Sequence, residues 1–100
     1  MKMQIQGDTL RISGIKEIGA ANANAFRDEA RLAMTEAQRN VEIDLSETTF
    51  IDSWGLGALI ALHKTACGCK GMLRLLNPPP PVQQILELTR MHRIFEIVKS

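Results

Sequence analysis

Apolar residues recur at two different periods along this chain, and their alternation restricts the available folds more than any single motif. In "MKMQIQGDTLRIS", Met3 and Ile5 alternate with polar residues, as do Leu10 and Ile12, on either side of a Gly7-Asp8 turn dipeptide. That pattern predicts a β-hairpin. From about Ala21 to Arg39 the period becomes helical: Ala23, Phe26, Ala30, Met34 and Ala37 share one stripe, while Arg27, Asp28, Arg31 and Arg39 can face water. "VEIDL" returns to period two and places Val41, Ile43 and Leu45 on one face of a strand. A second helix is expected from about Trp54 to Cys67, with Leu56, Leu59, Ile60 and His63 on its inner side, followed by the strand "MLRLL". Pro78 to Pro81 cannot continue that strand, since proline has no N–H, but Pro81 suits the first turn of a helix. That third helix runs to about Arg90 and buries Val82, Ile85 and Leu86; a strand over Phe95 to Val98 follows.

The expected order is β-β-α-β-α-β-α-β, an α/β arrangement in which strands alternating with helices pair in parallel. Glu42 and Asp44 make one face of the central strand too polar for a second helical layer, so the expectation is one mixed β-sheet with the helices packed mainly on one face. A chain of 100 residues accommodates one modest core and one domain, residues 1–100. Twelve basic and eleven acidic residues give a net charge of +1, which argues against nucleic acid as a partner, because neutralising several phosphates needs a concentrated basic face. The apolar run "GLGALIAL" is far short of the ~20 residues that span a bilayer, and "MKMQIQGDTL" lacks the apolar core of a secretory signal, so no direct membrane insertion is expected. Cys67 and Cys69, one residue apart, make a poor disulfide framework. Together these features predict a cytoplasmic protein.

The stretch "FIDSWGLG" at Phe50 to Gly57 raises a local problem, because glycine costs about 1 kcal/mol relative to alanine inside a helix. Asp52 or Ser53 can serve as an N-cap, and the glycines can permit close helix-sheet packing. The same features suit a phosphoacceptor. A helix amino terminus carries about half a positive charge and unpaired N–H groups, so a phosphate on Ser53 would be tolerated, and Gly55 and Gly57 leave backbone room around the hydroxyl. The two readings are compatible. Trp54, at the same junction, is either a partner anchor or a core residue covering the end of the sheet.

Here the chain resembles a known family. "VEIDLSETTFIDSWGLGALIALHK" and "GMLRLLNPPPPVQQILELTRMHRIFEIV" are similar to the STAS domain of anti-sigma factor antagonists, closely over roughly the last 60 residues and by element order before that. The most specific piece is Asp-Ser-x-Gly-Leu-Gly. The resemblance implies that Ser53 is the phosphorylated serine. It further implies that the unphosphorylated protein binds an anti-sigma factor with serine kinase activity, freeing a sigma factor, and that a serine phosphatase reverses the modification. Asp52, Trp54, Gly55, Leu56, Gly19 and Asn22 fall on the implied partner-binding surface. Gly19 stands where the family often has an aspartate that contacts the kinase, and Trp54 stands where a small residue is common. The implied protein is not an enzyme and has no cofactor. Similar STAS domains serve as subunits of membrane-transport or other signalling assemblies without sigma regulation, which is the alternative.

Other patterns carry less. In "HKTACGC", His63 and Cys67 are spaced to share a metal, but a structural zinc takes four ligands and no fourth lies nearby in sequence, so no metal site is expected. "GLG" lacks the third glycine of a dinucleotide loop, where Ile60 stands. Ser53 as a hydrolytic nucleophile would need a base within hydrogen-bond reach; His63 is ten residues along the same helix, about 15 Å away. The proline run, between a strand and an amphipathic helix, reads as a stiff connector.

Overall fold

The Gly7-Asp8 dipeptide reverses the chain within two residues. In the computed structural model, which describes residues 1–34 and 38–99, β1 (Lys2–Gln6) runs antiparallel to β2 (Thr9–Ser13), with Gln6 opposite Thr9. Gly7 has φ +62°, the left-handed setting that a two-residue hairpin turn requires at its first position. The chain continues through β3 (Glu17–Ile18), α1 (Ala23–Ala33), β4 (Asn40–Asp44), β5 (Phe50–Ile51), α2 (Ser53–Gly68), β6 (Leu73–Leu76), α3 (Pro80–Leu88), a 3-10 turn at Met91–Arg93 and β7 (Glu96–Val98).

Five strands form a mixed sheet in the order β1-β2-β4-β6-β7, parallel except for the opening hairpin. Successive side chains of a strand point to opposite faces, and the two faces differ sharply. On one, Leu10, Val41 and Leu73 lie side by side, as do Ile12, Ile43 and Leu75, all buried in the core with residues from the three helices. On the other, Gln4, Arg11, Glu42, Arg74 and Glu96 form one row across all five strands. Arg11 pairs with Glu42 at 3.5 Å and with Asp44 at 3.7 Å, and Arg74 pairs with Glu42 at 3.6 Å and with Glu96 at 3.3 Å. Partly exposed pairs of this kind contribute about 0–1 kcal/mol each. Their main consequence is a polar face, as Glu42 and Asp44 led us to expect, with the helices packed on the opposite side.

Four details depart from the sequence pattern. The element order contains two further strands, β3 and β5, which pair with each other in a separate two-stranded parallel sheet. Helix α1 ends well before Arg39: Met34 adopts φ −80° and ψ 120°, outside the helical region, although Ala23, Phe26 and Ala30 are buried as the stripe requires. The backbone breaks where the apolar periodicity does not; Ala37, also assigned to that stripe, lies outside the described residues. Gln38 and Arg39 belong instead to the approach to β4, where the Gln38 side chain donates to the Gly7 carbonyl and the Arg39 N–H to that of Asp8. Helix α3 begins one residue early, with Pro80 and Pro81 both in the first turn, where N–H groups would lack intrahelical partners in any case. The last strand starts at Glu96 because Phe95 is drawn into the core and closes the preceding turn, its N–H donating to the Met91 carbonyl. Among the described residues no helix is long and apolar enough to cross a membrane.

Candidate functional site

The small β3-β5 sheet sets the position of the "DSWGLG" stretch. Ile18 pairs with Ile51, both buried, and the Asp52 N–H donates to the Ile18 carbonyl at 3.3 Å. Asp52 remains extended, and its side chain then caps α2, with Oδ1 accepting from the Gly55 N–H at 3.0 Å. Of the two candidate caps the residue is therefore Asp52, and Ser53 is the first helical residue. Oδ2 of the same carboxylate accepts from the Ala20 N–H at 3.1 Å. One side chain thus joins the start of α2 to the loop before α1.

That loop has its own fastening. Asn22 Oδ1 accepts from the Gly19 N–H at 2.8 Å and Asn22 Nδ2 donates to the Glu17 carbonyl at 2.8 Å. Beneath it, the buried Thr48 hydroxyl donates to the Ile15 carbonyl at 2.6 Å. The Asp52 carboxyl is held below the usual carboxylate range, chiefly by the Gly55 N–H; partial desolvation opposes this, and the Ala20 and Trp54 N–H groups assist. Asp52 is accordingly an anion at neutral pH with its charge directed into backbone donors.

The two glycines of the motif do different things. Gly55 is buried against β3, and a Cβ there would overlap the Ile18 carbonyl oxygen and lie 3.0 Å from Ile51 Cγ2. Its absence of side chain is demanded by helix-sheet contact, not by an approaching partner. A Cβ on Gly57 would meet nothing within 4 Å. Gly19 is also a spacing residue: a Cβ there would sit 2.9 Å from Asp52 Oδ2 and 3.2 Å from Phe50 Cε2.

Of the residues assigned to a partner surface, Ser53 and Trp54 are exposed, Asp52 and Asn22 are half-buried, and Gly55, Gly19 and Leu56 are buried. Leu56 is only 8% exposed and packs in the hydrophobic core, as its place on the inner stripe of α2 requires. Trp54 is 59% exposed and does not cover the end of the sheet. The Ser53 hydroxyl is committed to no partner among the described residues. Sequence reasoning missed Ala20, whose N–H anchors Asp52, and Phe50, 48% exposed beside Gly19. The aromatic ring of Phe50 was visible in the sequence, but its outward orientation follows from the pairing of Ile51 with Ile18.

His63 is not placed to act as a base for Ser53. Helix α2 runs unbroken from Ser53 to Gly68, so His63 lies about 15 Å along the axis. His63 instead packs edge-to-face on Phe95, with ring centres 5.6 Å apart. Among the described residues no three His, Cys, Asp or Glu side chains are grouped to hold a metal ion.

The family model described as "Mlab, STAS domain" matches residues 1–99. A STAS-domain containing protein of Pseudomonas aeruginosa is 34% identical over 90 residues, covering 89% of this chain and 85% of that protein. A candidate anti-sigma factor antagonist of Thermotoga maritima is 28% identical over 98 residues, covering 94% of this chain and 84% of its own length. The crystal structure of such a protein from that organism superimposes with a TM-score of 0.90 at 25% identity, covering 99% of this chain and 85% of that one. The anti-sigma factor antagonist SpoIIAA of Bacillus shares the fold in its unphosphorylated form (TM-score 0.86, 18% identity, 99% and 86% coverage) and in its phosphorylated form (0.77, 17%, 99% and 89%).

Proposed function

The chain belongs to the STAS domain family, and from that premise we propose that it is an anti-sigma factor antagonist, a non-enzymatic binding module switched by phosphorylation of Ser53. In this reading the unphosphorylated protein binds an anti-sigma factor that is also a serine kinase, and so releases a sigma factor. Phosphorylation ends the interaction and a serine phosphatase restores it. The name carried by the Thermotoga maritima relative supports the antagonist role.

The observation that carries the switch is the exposed, uncommitted Ser53 hydroxyl in the first turn of α2, next to a junction held by Asp52. A phosphate there brings about −1.5 to −2 charge. The helix amino terminus attracts it while the Asp52 carboxylate repels it, so the internal effects oppose one another. Across an interface shaped for a neutral hydroxyl there is no such opposition, and an unpaired buried charge costs several kcal/mol. At about 1.4 kcal/mol per factor of ten, an effect near 2.8 kcal/mol lowers affinity at least a hundredfold while the domain stays folded.

The test captures partners with wild type, Ser53→Ala and Ser53→Asp, then measures affinity, circular dichroism and melting temperature on the phosphorylated protein. A serine kinase held by wild type and Ser53→Ala, and lost on phosphorylation without unfolding, is the expected result. Equal affinity of both forms would refute the switch. A second reading, a STAS subunit of a membrane-transport or other signalling assembly without sigma regulation, draws on Gly19. The carboxylate that would contact a kinase there is missing, and a side chain at that position would crowd Asp52. Transport components retained equally by wild type and Ser53→Asp would favour it.

A further inference from the structure

Both cysteines of the chain sit at the carboxy-terminal end of α2, separated only by Gly68. Free cysteine is ordinarily among the most buried residue types, yet Cys67 and Cys69 are both exposed and unbridged. Cys67 Sγ lies 3.7 Å from Nε2 and 3.9 Å from Nδ1 of His63, one helical turn earlier. That imidazole is steadied by its edge-to-face contact with buried Phe95. Cys69, the cap residue, has no such neighbour among the described residues. Gly68 is not required by the fold: its φ is not positive, and a Cβ would meet nothing within 4 Å. A residue poorly suited to a helix therefore stands between two exposed thiols, where it supplies backbone freedom and no packing.

We propose that Cys67-Gly68-Cys69 is a thiol-disulfide exchange site for low-molecular-weight disulfides, in which Cys67 attacks and Cys69 resolves. The Cys67 thiol gives its proton to the His63 imidazole. Its thiolate attacks one sulfur of the small disulfide, a Cys67-S–S-R bond forms, the original S–S bond breaks, and the departing thiolate takes up a proton. Cys69 then gives its proton to solvent and attacks the Cys67 sulfur, expelling the second small thiolate, which takes up a proton from solvent. The two cysteine sulfurs are oxidised and one disulfide is reduced to two thiols.

Residues two apart on a helix do not face one another, so ring closure requires backbone movement. The movement needed is local. The last turn releases the bonds from the Cys69 N–H to the Thr65 (3.3 Å) and Ala66 (3.1 Å) carbonyls and from the Lys70 N–H to the Cys67 carbonyl (3.0 Å). Beyond it Gly71 is seated so tightly against the Arg39 backbone that a Cβ would overlap the Arg39 carbonyl oxygen. An exposed bond closed at the expense of helical hydrogen bonds belongs to the labile class, which a reduced small thiol reopens.

The experiment treats the full chain with oxidised glutathione and follows intact mass. Wild type should lose two hydrogens, retain no glutathione, and revert with reduced glutathione. Cys69→Ser should stop at one glutathione adduct, formed roughly tenfold faster than the adduct on Cys67→Ser. His63→Gln, with its fold verified by circular dichroism, should slow the reaction of Cys67 toward that of Cys69. Wild type holding two glutathiones, a disulfide between chains, unreactive thiols, or equal rates in the two serine variants would each overturn the assignment.

Discussion

The two ends of α2 are built on opposite terms. At its amino end the helix is fastened to two neighbouring segments. Asp52 caps it and ties it to the loop before α1, and Gly55 is seated on the backbone of β3. Ser53 and Trp54 project from that junction, with the exposed Phe50 ring beside it. At its carboxy end, a Cβ on Gly68 would meet nothing within 4 Å, both cysteines are exposed, and the chain leaves through Lys70 at φ 63°. Gly55 and Gly68 stand near the two ends for different reasons: contact excludes a side chain at Gly55, and no contact requires its absence at Gly68. A junction tied down by Asp52 suits a surface that presents one hydroxyl to a partner, whereas an exposed last turn with open space at Gly68 suits chemistry on the two thiols beside it.

Substituting the glycines breaks this contrast most directly. Gly55→Ala should destabilise the protein by about 3 kcal/mol, the upper end of overpacking, because the atom in the way is a backbone carbonyl and cannot rotate aside. Gly68→Ala should be neutral or stabilising by up to about 1 kcal/mol. Urea denaturation of both variants decides the point, and similar losses in the two would erase the distinction.

Trp54→Ala comes next. With 59% of the residue exposed, the folded state should change by no more than about 0.5 kcal/mol, while affinity for the captured kinase should fall by about 2 kcal/mol if Trp54 is an anchor. Unchanged affinity would leave the amino-terminal junction with Ser53 alone as its working group.

The smallest effect concerns acid. The Asp52 carboxyl is lowered in the folded protein, so its contribution to stability is fully present above the usual carboxylate range and is lost as pH falls through the lowered value. Asp52→Asn cannot titrate. The melting-temperature advantage of wild type over this variant should therefore shrink as pH is taken from 6 to below about 3. A difference that stays constant would mean that the cap works through geometry and not charge.

Long periodic segments were legible in the sequence. The hairpin, the buried faces of β2, β4 and β6, the inner stripes of α2 and α3, and the polar outer sheet face follow from side-chain periodicity and needed no tertiary information. Strands β3 and β5 were not legible, because two residues contain no period. The end of α1 was missed because apolar spacing persists to Met34 after the backbone has left the helix. At the site, the sequence placed Ser53 and Asp52 at a helix start. It gave Leu56 an inward place on the α2 stripe, but it could not say which of Ser53 and Asp52 caps, nor that Gly55 and Gly19 would be pressed inward.

What the sequence by itself determined is the order of the main elements, the side each presents to the core, and a serine at the head of a helix. These depend on spacing along one chain and on local backbone preference. Tertiary structure alone decided which glycines are indispensable, that Trp54 faces out, and that Asp52 bridges two segments 32 residues apart. Each of those is settled by atoms distant in sequence, the Ile18 carbonyl against Gly55 and the Ala20 N–H at Asp52, whose approach no local pattern encodes.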